Sequence, residues 1–183
     1  MIPEITLQKI KQLLGVDLIT YHEAYSETVL TVDHDSIVRV LTILRDHSEC
    51  LFRQLIDITA VDYPEQPQRF EIVYHLLSHE NNLRLRIKLR VDEKTPVPSI
   101  VDVFRAAPWY EREVWDLFGV VFADNPDLRR LLTDYDFEGH PLRKDFPLTG
   151  FVEVHYDDSA KKVVYDTLQL PQAFRNFDFV NKK

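Results

Sequence analysis

The 183-residue chain has one cysteine, four glycines, no basic surplus and no apolar run near the length of a membrane span. Each shortage removes a class of function. Cys50 alone cannot close an internal disulfide, nor can it anchor an iron–sulfur cluster or a structural zinc site. A reducing compartment is the simplest inference. Gly15, Gly119, Gly139 and Gly150 fall in neither a dinucleotide-binding nor a phosphate-loop spacing. No Gly-x-Ser-x-Gly elbow and no Cys–His pair in a recognisable context occurs either. A bilayer crossing needs about 20 consecutive apolar residues, so membrane association is expected only through a partner. The opening MIPEITLQKIKQLLG has neither an apolar signal core nor an Arg-rich leader pattern. A net charge of −8 argues against general nucleic-acid affinity, which needs cations massed on one face.

What is present reads as a globular α+β domain. Hydrophobic residues make up 45% of the chain and charged residues 28%, enough to bury a core without staples. Residues 3–14 place Ile5, Ile10, Leu13 and Leu14 near one helical face, between Pro3 and Gly15. A strand is expected over 27–32. A second amphipathic helix over 35–47 carries Ile37, Val40, Leu41 and Leu44, with Asp35 as its cap. Strands follow over 52–62, 69–77 and 83–91. The last alternates strictly, with Leu83, Leu85, Ile87, Leu89 and Val91 against Arg84, Arg86, Lys88 and Arg90. The SHENN link suits an antiparallel hairpin, giving a two-layer arrangement of a mixed or antiparallel sheet with helices on one face.

Over 99–119, Ser99 with Asp102 resembles a capping box, and Pro108 is expected to divide the segment into two helices ending at Gly119. A short helix is expected from Pro126, capped by Asp124 or Asn125. DYDFEGHPLRKDFPLTGFVEVHYDD over 134–158 then has no hydrophobic period until a hairpin of 151–156 against 162–166. The expected division is an α+β domain over 1–122 and an extended docking segment, with hairpin and tail, over 123–183.

Three constellations bear on chemistry. Glu111, Arg112, Glu113 and Asp116 read best as a charge network on one helix, Arg112 and Asp116 being i,i+4 neighbours. The sharper reading is a metal hydrolase that adds His140. The stripe Arg84–Arg90 could serve single-stranded RNA, but its face lacks interleaved aromatics. A solvated face or a dock for acidic groups fits better. The third is the long aromatic and cationic tract Ala107–Asp158, of the kind found at permanent interfaces. Arg112, Trp115, Arg129, Arg130, His140, Arg143, Lys144 and Phe146, with Phe174 and Phe177 of the tail, are the expected partner-facing residues.

The segment WYEREVWDLFGVVFADNPDLRRLLTDYDFEGHPLRKDFPLTGFVEVHYDD over 109–158 resembles the signature of the 30 kDa (C) subunit of proton-pumping NADH:quinone oxidoreductase, respiratory complex I. DITAVDYP over 57–64 and RFEIVYHLLS over 69–78 look similar to the same family. Asn125 and Asp136 depart from it, standing where His and Gly are usual. The resemblance implies a subunit of the peripheral arm that works within the oxidoreductase assembly and has no catalytic residue of its own. It implies no cofactor in this chain, with flavin and iron–sulfur clusters held by partner subunits. The partners it implies are the large quinone-site (D) subunit and neighbouring cluster-bearing subunits. The implied location is the cytoplasmic side of a bacterial inner membrane or the matrix side of a mitochondrial one. Equivalent subunits of membrane-bound hydrogenases and ferredoxin or quinone reductases are similar.

Overall fold

A computed structural model describes residues 2–25, 27–170 and 172. Phe174 and Phe177 lie outside the described residues. The chain divides into two compact units, Met1–Phe146 and Pro147–Lys183. The first therefore runs past the expected boundary at 122, because residues 123–146 are tied to the end of the helix over 107–118.

The first unit is built on a mixed five-stranded sheet in the order β1-β2-β5-β4-β3, comprising β1 (Leu18–Ala24), β2 (Glu27–Val32), β3 (Gln54–Asp62), β4 (Phe70–Ser78) and β5 (Leu83–Val91). Only β2 and β5 run parallel; the other neighbours are antiparallel. The α+β expectation holds, and β1 is the strand of this sheet that the pattern missed: it lies at the sheet edge and none of residues 18–23 is buried, so burial imposes no alternation on it. The alternation of β5 is realised: Leu85, Ile87, Leu89 and Val91 are buried, beside Phe70, Ile72, Tyr74 and Leu76 of β4. These meet Leu7, Ile10 and Leu14 of α1 (Glu4–Leu14) and Ile37, Val40, Leu41 and Leu44 of α2 (Ile37–Asp46) in one core. Each such side chain contributes about 1.5–3 kcal/mol by leaving water.

Three local expectations are corrected. Ile5 is 84% exposed, because the buried stripe of α1 runs through Leu7, Ile10 and Leu14, and Ile5 sits two residues before it on the far side. Asp33, not Asp35, caps the entry to α2: its carboxylate accepts from the Asp35 amide across a 3-10 turn, His34–Ser36. Residues 99–106 form turns rather than a capped helix, and only α3 (Ala107–Phe118) follows, with Pro108 in its first turn. The Ser99 hydroxyl is drawn away to Glu111 of α3 at 2.7 Å.

The four cations of β5 point to the sheet's outer face, where acids meet three of them. Glu27 pairs with Arg86, and Glu71 takes both Lys88 at 2.6 Å and Arg90 at 2.9 Å. Short strands β6 (Val97–Pro98) and β7 (Phe122–Ala123) pair in parallel and bracket α3 in sequence. The second unit holds the expected hairpin, β8 (Val152–Asp157) against β9 (Lys162–Thr167). Its pairs Val154↔Tyr165 and Tyr156↔Val163 share one side of the ribbon, and all four side chains are exposed. No helix among the described residues is long and apolar enough to cross a membrane.

Candidate functional site

The irregular tract is organised by the last two turns of α3. A helix leaves its final four carbonyls without intrahelical donors, and here each finds one. The Trp115 carbonyl accepts from the Gly119 amide at 2.8 Å, with Gly119 in the left-handed region at φ +79°. The Asp116 carbonyl meets His140 Nδ1 at 2.9 Å, the Leu117 carbonyl accepts from the Leu142 amide at 3.0 Å, and the Phe118 carbonyl accepts from Arg143 Nε at 2.6 Å. Cationic donors at this end also complement the helix dipole.

The side chain of Asp116 holds the preceding part of the tract. Its Oδ2 accepts from the successive amides of Leu131, Leu132 and Thr133 at 2.9, 2.7 and 3.0 Å. Its Oδ1 accepts from Thr133 Oγ1 at 2.5 Å and Arg130 Nη1 at 2.9 Å. Three consecutive amides curled about one carboxylate form an anion nest, with the anion supplied by the chain itself. Burial alone would raise the pKa of this fully buried group; the bonds from Thr133, Arg130 and Leu131 overrule it and hold the carboxyl well below its ordinary 3.8. Arg112 is not its i,i+4 partner. The Arg112 guanidinium turns aside to the carbonyls of Arg129 (3.1 Å) and Arg130 (2.9 Å) and lies over the ring of Trp109.

Arg130 is held between the rings of Trp115 and Phe137 and donates to the Phe137 carbonyl at 2.6 Å. Phe137 stacks on Phe146, and His140 meets Trp115 edge-on. Arg143 lies against Phe70 of β4. The Lys144 amide donates to Asp62 at 2.7 Å, at the end of β3, while Arg69 grips Asp62 bidentately. Of the residues expected to face partners, Arg112, Arg130, Arg143 and His140 thus direct their polar groups into their own chain. Arg129 pairs with Asp127, and the Lys144 side chain is exposed. Asp62 and Arg69 were missed as organisers, while Gly119 ends α3 as expected. For Asp62 the available signal was its position closing the alternation of β3; nothing in the pattern marks Arg69.

At the start of α3, the fully buried Glu111 accepts from Ser99 Oγ, the Ile100 amide and Asn125 Nδ2, each at 2.7 Å. Burial raises its pKa above the ordinary 4.5 despite those donors. Asn125 also closes a turn on the Asp127 amide, and residues 126–132 form turns and irregular chain in place of the expected short helix. Asp136 has no left-handed backbone, so its position makes no demand for glycine. Glu111 and Asp116 face different donors and do not converge on a metal with His140. Among the described residues, the three-member group with ligating atoms near one another is Asp33, His34 and Asp35.

The two buried carboxyls give opposite pH responses. Asp116, depressed in the fold, contributes stability that is present above pH 3.8 and lost as the pH falls through its folded value. Glu111, raised in the fold, contributes stability that is present below pH 4.5 and lost as the pH rises through its folded value. Urea unfolding between about pH 3 and 7 should therefore show Asp116→Asn flattening the acid loss and Glu111→Gln gaining on the parent chain as pH rises. Parallel curves for both variants would contradict these environments.

Residues 30–152 match the family described as respiratory-chain NADH dehydrogenase, 30 Kd subunit. The chain belongs to that family. The match takes in the sheet from β2 onward and the whole wrap around α3, ending at the first residue of β8. Curated relatives extend further. The NADH-quinone oxidoreductase C subunit of Methylobacterium radiotolerans is 56% identical over 174 residues, 95% of this chain and 81% of the relative. That of Paramagnetospirillum magneticum is 59% identical over 155 residues, 85% of this chain and 78% of the relative. Among solved structures, a chain of the membrane-bound sulfane sulfur reductase, an archaeal respiratory membrane complex, superposes with a TM-score of 0.66 at 31% identity. It covers 79% of this chain and 87% of its own length. A trypsin-resistant fragment (1-134) of Nqo5 gives 0.55 at 27% identity, over 68% of this chain and 98% of the fragment.

Proposed function

We propose that this family member is a non-catalytic subunit of the peripheral arm of an NADH-quinone oxidoreductase, fixing the positions of its neighbours. Those neighbours are the large quinone-site (D) subunit and iron–sulfur subunits. The observation that carries the reading is the 56–59% identity to the 30 kDa (C) subunits of that enzyme over most of this chain's length. The fold is consistent with it: Asp116, Glu111, Arg112, Arg130 and Arg143 are engaged in holding backbone, which suits a scaffold rather than an acid–base centre. Flavin and clusters then reside in partners, and contact with the membrane, on its cytoplasmic or matrix side, comes through the assembly. An equivalent place in a related respiratory complex is the second reading, favoured by the likeness to the sulfane sulfur reductase chain.

Tagged chain purified from its own cells should bring down NADH dehydrogenase activity, flavin and iron with subunits of that enzyme. A related complex would bring iron without NADH oxidation, and a solitary chain would end both readings. Partner dependence has its own test. The solved Nqo5 piece is a trypsin-resistant fragment aligning with 68% of this chain. Trypsin should cut the isolated protein in the exposed hairpin turn at Lys161 and Lys162, leave the first unit intact, and spare that turn in the assembly. Equal cleavage in both states would argue against a docked second unit.

A further inference from the structure

The loop LTDYDFEG over 132–139 is held from inside and presents a surface to the outside. Thr133 is fastened to Asp116 through both its amide and its hydroxyl, and Phe137 is clamped between Phe146 and Arg130. The Phe137 amide closes a turn on the Asp134 carbonyl at 3.0 Å. Around these anchors other side chains are exposed. Tyr135 is 80% exposed and Leu132 62% exposed, and the exposed acids Asp136 and Glu138 follow them in sequence. Three of the tract's cations are committed elsewhere: Arg130 and Arg143 face inward on carbonyls, and Arg129 is paired with Asp127, while Lys144 is exposed outside the loop.

An aromatic side chain held proud of a rigid loop brings large contact area at small entropic cost. The acidic rim sets the sign of what fits around it, since like charges across an interface cost several kcal/mol while opposite ones steer and align association. We infer that loop 132–139 docks onto a neighbouring subunit at an apolar socket for Tyr135 and Leu132 bordered by arginine or lysine side chains. The inference rests on the proposed place in an oxidoreductase assembly and adds the chemistry of the partner's surface. It also inverts the polarity expected for this tract at the loop itself: Arg130 and Arg143 hold backbone from inside, and the carboxylates of Asp136 and Glu138 face the partner.

The experiment uses the full chain in its assembly. A photo-crosslinking p-benzoylphenylalanine introduced at Tyr135 should join one peptide of a neighbouring subunit, and that peptide should carry at least two basic residues. Paired reversal, Asp136→Lys with Glu138→Lys, should lower recovered complex at least 10-fold while the isolated chain melts as before. The neutral pair Asp136→Asn with Glu138→Gln should fall between and lose part of the salt dependence of assembly. A crosslinked peptide without basic residues, or no crosslink in an assembled complex, overturns the inference. So does wild-type assembly by the lysine pair. An unaltered chain that retrieves no oxidoreductase subunit overturns the proposed place in the assembly and this inference with it.

Discussion

Asp116→Ala is expected to cost the first unit about 3–5 kcal/mol, the scale for removing one partner of a buried, hydrogen-bonded ion pair. The loss exceeds that of an ordinary core truncation because of what is stranded. Arg130 loses its carboxylate while it remains between Trp115 and Phe137, and the amides of Leu131, Leu132 and Thr133 lose their common acceptor together. Hydrogen exchange should locate the damage: amides 131–133 and 137 should exchange at rates of an open loop, while β3, β4 and β5 keep their protection. An unfolding free energy from urea titration within about 0.5 kcal/mol of the parent, the range of ordinary surface substitutions, would mean that the nest contributes little.

Gly119→Ala should be nearly as damaging, at about 2–4 kcal/mol, from left-handed strain and overpacking together. The backbone at Gly119 has φ +79°, and an added Cβ would stand 2.4 Å from Arg143 Nη2 and 2.6 Å from the His140 ring. Those two residues satisfy the Phe118 and Asp116 carbonyls, so pushing them out uncaps the helix as well as crowding it. Gly15 offers a comparison free of crowding: nothing lies within 4 Å of its Cβ position, but φ +52° with ψ −117° is less accessible to an L residue than the left-handed helical region of Gly119, so Gly15→Ala should cost about 1–3 kcal/mol from strain alone. Thermal melts read both losses; a Gly119→Ala loss of only about 1 kcal/mol, the low end of strain by itself, would show that crowding at Gly119 is relieved by simple movement of the two side chains.

The sheet was legible wherever burial imposes a period. Leu85 to Val91 alternate because one face is in the core, and α2 shows its stripe for the same reason. Ile5 misled because a short helix offers two near-equivalent stripes, and only the position of the sheet decides between them. The wrap around α3 was recognisable as a family signature but not as a geometry. Its bonds join side chains to backbone groups 7 to 25 positions away, and such pairs leave no periodic trace. The Asp62–Lys144 tie, 82 positions apart, leaves even less. Counting charges along the tract suggested cations for partners; only the structure shows their hydrogen bonds ending on Asp116, Phe118, Arg129, Arg130 and Phe137.

The β8–β9 ribbon imposes a supply constraint on the cell. Two strands alone make a marginal sheet, and among the described residues neither strand of this one pairs with a third, while Val154, Tyr156, Val163 and Tyr165 are exposed along one side. Such a ribbon is a template for strand-by-strand stacking with its own kind. Surplus copies made ahead of their neighbours are therefore a proteostatic burden, and matching the output of this polypeptide to that of its assembly is part of keeping it soluble.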